Sequence, residues 1–435
     1  MSFLRDIIPP AGLVRLLAIS NLAKTTAHGI IMTISVLYFT RVVGIAPERV
    51  GLALTVGAGA GMLSSVPAGR LADVRGARGV TVTLLFVLGL VTCGYALVTN
   101  FVGLLLAAAV VLAIESGSNA ARGGLLAALL APEERVRAWA YMRSMANIGV
   151  SLGAVIGGSA LLIDSRSAYV ALLVAAGGLF VLSGLAFLRV PAVPATPTAS
   201  DEDGGPKWVV LRDLPYAAVS LVNSVLVMSD ALLIVAMPIW ISQHTSAPPF
   251  FFTVLLLINT ATVILFQVRA SRGAEDVAGG VRIWRRASLA FALCCVIFAL
   301  AKGQGVWLAA IILIAGTLAH VLGEMWHSAG AWSLSYGLAR DGAQGQYQGL
   351  FETSTQLGSM VAPLAITGAL AALGYGGWLV FAVVFLVAGS VVPPLTRWAR
   401  RTRPVAAPGG STSDPATGTP EPVPPAASPV AATDS

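Results

Sequence analysis

Long apolar runs dominate this chain, and they constrain its fold more than any other feature. A helix needs about 20 apolar residues to cross the hydrocarbon core of a bilayer. Twelve such runs lie near residues 13–40, 48–68, 79–98, 101–122, 140–162, 167–189, 214–241, 249–269, 284–302, 305–332, 347–371 and 376–396. Lipid offers no partner to an open backbone, so runs of this kind fold as helices. Composition agrees, since 56% of the 435 residues are hydrophobic and 11% are charged. A soluble domain carries about 25% charged residues. The expected fold class is an all-α membrane protein with twelve transmembrane helices. The N-terminal MSFLRDIIPPAGLVR has no long apolar core ahead of a small-residue cleavage site, so the first run is expected to stay as a helix.

Basic residues set the expected orientation. With the N-terminus inside, 21 of the 27 Lys and Arg residues fall on the inner side, Arg75, Arg78, Arg143 and Arg401 among them. Only Arg41, Arg49, Arg166 and Lys302 fall outside, while Lys24 and Arg122 stand within or at the edge of helices. Gaining or losing one helix midway scrambles that split. It predicts N- and C-termini in the cytoplasm and a multi-pass protein of the cell (inner) membrane. Residues 190–213, with PAVPATPTASDEDGGPK, read as a flexible cytoplasmic linker. They separate an N-terminal six-helix bundle, 1–189, from a C-terminal one, 214–397. Residues 398–435 form the expected cytoplasmic tail, disordered on its Pro, Ala, Ser, Thr and Gly content.

Several function classes are disfavoured. The net charge of +7 is scattered between apolar runs and makes no nucleic-acid footprint. Cys93, Cys294 and Cys295 lie inside apolar runs with spacing that suits neither a disulfide framework nor a zinc site. No P-loop, dinucleotide fingerprint or GxSxG nucleophile motif occurs, so neither an enzyme nor a cofactor is expected. The halves echo each other instead. Asn21, His28, Tyr38 and Thr40 align with Asn223, Asp230, Trp240 and Ser242 at an offset of 202, as Arg70 and Asp73 do with Arg272 and Glu275. Glu115 meets Glu324 at an offset of 209. Such duplication marks secondary transporters, whose substrate site lies near the midplane between repeats.

Between the second and third runs stands PAGRLADVRGARG. It resembles the signature of the major facilitator superfamily. Gly69, Leu71, Ala72, Asp73, Gly76 and Arg78 match, while Val74 and Ala77 stand where that pattern usually has basic residues. The resemblance covers roughly residues 10–397 and implies two six-helix bundles rocking about a central cavity. It makes this segment a gating loop, with Asp73 near the N-terminus of the eleventh helix. Gly69 lets helix backbones approach closely.

In the fifth run, GVSLGAVIGG places Gly149, Gly153 and Gly157 four apart on one face, followed by Gly158. Read from the residues alone, these are helix-packing glycines. They also resemble the fifth-helix motif of the superfamily's proton-coupled drug antiporters, with Ala154 at the usual proline. NAARGGLLAALLAPEERVRA is similar to the fourth helix and following loop of drug exporters. The arginine those proteins carry higher in the fourth helix has no counterpart between Leu104 and Ile114.

Ionisable groups within a bilayer are costly, by about 2.5–3.5 kcal/mol on insertion scales, and mark pathways or relays. Here they are Lys24 and His28 in the first helix, Glu115 and Arg122 in the fourth, and Asp230 in the seventh. His320, Glu324 and His327 follow in the tenth, and Glu352 near the start of the eleventh. In the superfamily, helices one, four, seven and ten line the cavity. Lys24, Arg122 and Glu352 stand nearer the inner surface, where long side chains can reach the headgroups. His320, Glu324 and His327 share one helical face. One face of one helix rarely closes a tetrahedral ligand set, so the expectation is proton or substrate contact, with no metal.

The expected activity is proton-coupled export of a small, partly apolar molecule. Glu115, Asp230 and Glu324 are the coupling carboxylates, and Tyr38, Trp240 and Trp326 wall the cavity. Its partners are the substrate, protons and the bilayer, with no obligatory protein partner. An importer of sugars or organic anions, with Lys24 and Arg122 as ligands, is the first alternative. A membrane receptor or scaffold that transports nothing is the second.

Overall fold

The computed structural model describes residues 8–192 and 208–402, and twelve of its helices are long and apolar enough to cross a membrane. In the first half these are α1 (Leu13–Val42), α2 (Pro47–Arg75), α3 (Ala77–Leu97), α4 (Phe101–Leu129), α5 (Pro132–Ile163) and α6 (Arg166–Leu188). In the second half they are α7 (Leu214–His244), α8 (Phe251–Ala270), α9 (Val277–Leu300), α10 (Val306–Gly337), α11 (Gln344–Leu373) and α12 (Tyr375–Arg401). Polar side chains start several of them. Asn100, Ser165, Asp213 and Asp276 each accept a hydrogen bond from a backbone N–H of the following first turn. Residues 193–207 of the expected linker and 403–435 of the expected tail lie outside the described residues.

Every expected helix is present, but many extend further at the end nearest the linker, here called the linker side. α2 runs on to Arg75, α4 to Leu129 and α10 to Gly337, while α5 begins at Pro132. Charged residues end an apolar run without ending a helix, so hydropathy underestimates these ends. Two expectations change as a result. The motif between the second and third runs is not a loop. Gly69, Leu71 and Asp73 belong to the last turns of α2, and Gly76 alone joins it to α3. Its φ of 94° is a conformation that favours glycine. Arg78, in the first turn of α3, donates to the Phe187 and Leu188 carbonyls at the end of α6. The second change concerns Arg143, expected at the inner end of the fifth run and found well inside α5.

Within the first half, α2 packs on α4, α1 on α5 and α6, and α3 on α4 and α6. In the second, α9 packs on α10 and α12, α11 on α7, and α8 on α10. Each half has its own core. Tyr38 lies in the first, with its hydroxyl donating to the Ala96 carbonyl at 3.3 Å. Trp240 lies in the second and donates to the Phe298 carbonyl at 2.9 Å. Trp326 packs half-buried against that second core. None of the three walls a central cavity, contrary to expectation. The apolar surface of Tyr38 and Trp240 is spent between helices of one half.

The α5 glycines seat α1. A Cβ at Gly149 would meet the Leu22 carbonyl oxygen at 2.9 Å, one at Gly153 the Ile30 nitrogen at 2.8 Å, and one at Gly157 Thr33 Cβ at 2.8 Å. Gly158 differs, since a Cβ there meets nothing within 4 Å. One residue further along, the helix has turned away from the seam, so Gly158 is not a packing glycine.

The halves meet through α2 with α11, α4 with α11, and α5 with α8 and α10. Hydrogen bonds between them cluster toward the linker side. Asp73 accepts from Gly345 N at 2.7 Å and Gln346 N at 3.0 Å, in the first turn of α11. That turn has unpaired N–H groups and the positive end of the helix dipole. Gly69 and Gly345 abut so closely that a Cβ on either would strike the other's carbonyl.

Candidate functional site

α7 is irregular where it carries Asp230. Residues Leu232–Ala236 form a π turn, and Pro238 has no N–H for the carbonyl four residues earlier. Asp230 stands just before this turn and faces a cavity of about 250 Å³ between the halves. A second cavity of about 290 Å³ lies among α1, α4 and α5. Both are walled by Asn119, Arg122, Trp139, Arg143 and Trp332, so they are lobes of one central space.

In the lobe among α1, α4 and α5, His28 Nδ1 lies 2.9 Å from Glu115 Oε1. Lys24 Nζ donates to Asn119 Oδ1, and Asn119 Nδ2 donates across the halves to Glu352 Oε1 at 3.0 Å. Arg122 donates to Asn21 Oδ1 and lies over the Trp139 ring, 5.4 Å from its centroid. Lys24, Arg122 and Glu352 therefore turn into the cavity rather than toward headgroups. The reason is local, because Asn21 and Asn119 offer amide partners inside the cavity. Arg122 Nε is buried without a hydrogen-bond partner.

In the lobe between the halves, Arg143 Nη2 of α5 meets Glu324 Oε1 of α10 at 2.6 Å. Asn259 of α8 donates to the other carboxylate oxygen at 2.9 Å. Arg143 Nε has no partner. Asp230 makes no hydrogen bond among the described residues. His327 pairs with Asn223 Oδ1 at 3.0 Å, and Asn223 in turn donates to Ser354 and Thr355 of α11.

His320, expected in the cavity, does not line it. Its ring is buried beside Phe291, with Nε2 at 2.9 Å from the Ser229 carbonyl, in the irregular stretch of α7. Among the described residues no group of three His, Cys, Asp or Glu side chains is placed to hold a metal.

The floor of the cavity is aromatic. Trp139 of α5 and Trp332 of α10 stack across the halves, with centroids 5.8 Å apart and planes at 16°. Trp139 Nε1 donates to the Tyr336 hydroxyl at 2.9 Å, which donates to the Gly123 carbonyl at 3.0 Å. Along α5 and α10 these side chains stand nearer the linker side than Arg143 and Glu324, and they join the two halves there.

Of the expected residues, the structure brings together Lys24, His28, Glu115, Asp230, Glu324 and His327. Sequence reasoning missed Arg143, Asn119, Asn259 and the two floor tryptophans. A signal did exist for one of the amides, because Asn259 interrupts an otherwise apolar stretch. Chemically, the space offers fixed cations and carboxylates facing each other across two halves that touch along few helices. Adding a proton to Glu324 would remove the negative partner of Arg143 and weaken one link between the halves.

A family model described as Major Facilitator Superfamily matches residues 17–363. No curated protein sequence matches the chain significantly. Among solved structures, the human organic anion transporter MFSD10 superposes with a TM-score of 0.63 at 15% identity, over 89% of this chain and 99% of that one. The E. coli fucose:proton symporter FucP gives 0.63 at 15%, over 88% and 98%. A bacterial homologue of the iron transporter ferroportin, in an outward-facing state, gives 0.65 at 12%, over 89% and 99%. At such identities the likeness is one of fold.

Proposed function

Because the chain belongs to the major facilitator superfamily, and so to the secondary transporters, we propose that it exports a small, partly apolar molecule in exchange for protons. The observation that carries the coupling is the Arg143–Glu324 pair at 2.6 Å, an ion pair between α5 of one half and α10 of the other. A carboxylate buried there holds the halves together while charged and releases Arg143 when protonated. Substrate and proton then bias opposite states of one equilibrium. His28–Glu115, in the other lobe, is a second proton-accepting pair within one half. Trp139 and Trp332 supply the apolar surface for the substrate. Export is supported by the α5 glycine row and its resemblance to drug antiporters. With the linker cytoplasmic in the inner membrane, as the basic residues favour, the stacked tryptophans close the cytoplasmic side.

A second reading, proton-coupled import of a sugar or organic anion, is favoured by one observation. Lys24 and Arg122 turn into the cavity, where they could hold anionic or hydroxyl oxygens.

A compound-susceptibility screen with and without the protein separates the two. Export predicts resistance to the transported compound, and import predicts sensitisation. Flux of any hit into vesicles should then follow an imposed proton gradient. Coupling fails as an idea if Glu115→Gln, Asp230→Asn and Glu324→Gln each leave gradient-driven flux intact.

A further inference from the structure

The charges in the central cavity are sorted by wall. Lys24, Arg122 and Arg143 all come from the first half, on α1, α4 and α5. Asp230, Glu324 and Glu352 all come from the second, on α7, α10 and α11. The one exception, Glu115, is engaged by His28 beside it at 2.9 Å. Across the gap the walls now compensate each other, directly through Arg143–Glu324 and by relay through Lys24–Asn119–Glu352.

From this sorting we infer that the substrate is a small zwitterion, its anionic group held by the first half and its cationic group by the second. The inference rests on the reading of this cavity as a transport site. An anion alone would satisfy the guanidiniums and leave the buried Glu324 and the half-buried Asp230 without cations. A cation alone would do the reverse. Uncompensated charge in a low-dielectric site is strongly unfavourable. A zwitterion inserts between the walls and leaves neither unpaired. The unused hydrogen-bonding capacity matches this division. Arg122 Nε and Arg143 Nε are buried donors without partners on the first wall. Asp230 is a carboxylate without a hydrogen bond among the described residues on the second. The Trp139–Trp332 floor gives a flat or apolar body of the same molecule a surface to lie on.

The test measures binding to the full chain in lipid nanodiscs by thermal stabilisation. The probes are L-phenylalanine, 4-aminobutyrate and 4-(aminomethyl)benzoate, zwitterions of graded charge separation. Each is compared with its N-acetyl derivative, which keeps only the anion, and its carboxamide, which keeps only the cation. At least one zwitterion should bind about tenfold or more tighter than both of its derivatives, as expected when a site's charged partner is left unpaired. Arg143→Gln should weaken that zwitterion and its N-acetyl form but not its carboxamide. Asp230→Asn should weaken the zwitterion and its carboxamide but not its N-acetyl form. The inference is overturned if no zwitterion of the panel binds, or if a singly charged derivative always binds as tightly. Selective zwitterion binding without proton-driven flux would sink the transport reading alone. Proton-driven flux of a singly charged compound would sink this inference alone.

Discussion

Arg143 and Glu324 compensate each other's charge across the two halves. Glu324 is buried but the Arg143 side chain is 35% exposed, so removing one member costs up to about 3–5 kcal/mol, the value for a fully buried pair, whereas removing both is often close to neutral. Arg143→Gln and Glu324→Gln are therefore each expected to lower the stability of the purified protein by an amount of that order. The double variant should lie nearer the wild type than the sum of the two. Reversible unfolding of all four proteins in mixed micelles gives the coupling, and strict additivity would mean that the pair does not act as a unit. Glu324, Asp230 and Glu115 were legible in the sequence, because a carboxylate within an apolar run stands out. Arg143 was not. It follows Arg135 and Arg137 closely, and a run of arginines beside a predicted helix end is already explained by topology. With α5 starting at Pro132 rather than near residue 140, Arg143 lies well inside the helix and faces the cavity. His320 was misread the other way. Its charge-bearing ring is committed to one carbonyl of α7, a partner that spacing along α10 could not reveal.

At the scale of elements, the helices were legible and their ends were not. Hydropathy reports where lipid is, and the backbone continues past it as long as N–H and C=O groups pair. The α5 glycines show the same division between pattern and geometry. Their four-residue spacing identifies a seam but not where the seam ends. Gly153 lies against backbone atoms of α1, which cannot yield as a flexible side chain can, and Gly158 lies against nothing. Gly153→Ala is expected to destabilise by about 1–3 kcal/mol, the range for overpacking a tight contact. Gly158→Ala should be neutral or stabilising by up to about 1 kcal/mol, the helix-propensity gain of alanine over glycine. Thermal unfolding of the two purified variants distinguishes them. Equal effects would show that α1 and α5 do not pack through this seam. The π turn of α7 was readable only in part. Pro238 predicts a disturbed helix, but not that Asp230 sits at its edge.

For the whole molecule, the repeat predicts two equivalent latches, and the structure holds one. Asp73 at the end of α2 grips the first turn of α11 with two charge-assisted hydrogen bonds. Its counterpart in the second half, Glu275 after α8, should grip the first turn of α5. Instead it accepts from Gly273 N at 3.0 Å in its own loop. The first turn of α5 carries two acids of its own, Glu133 and Glu134, whereas the first turn of α11 carries none. The sequence contains both facts, but a repeat read by offset emphasises what the halves share. Closure on the linker side is thus borne unequally, and the two acids should respond differently to loss of charge. Hydrogen bonds to a charged group contribute about 1.5–3 kcal/mol each. A tenfold change in the ratio of closed to open needs about 1.4 kcal/mol, less than one such bond. Spin labels at Arg75 and Asp341, exposed on either side of the Asp73 contact, report that ratio in a background with the three native cysteines replaced. Asp73→Asn should move at least about tenfold more of the population to longer distances. Glu275→Gln should leave the distribution unchanged. Equal shifts from both variants would mean that the latches are equivalent after all, and that the asymmetry plays no part in closing the linker side.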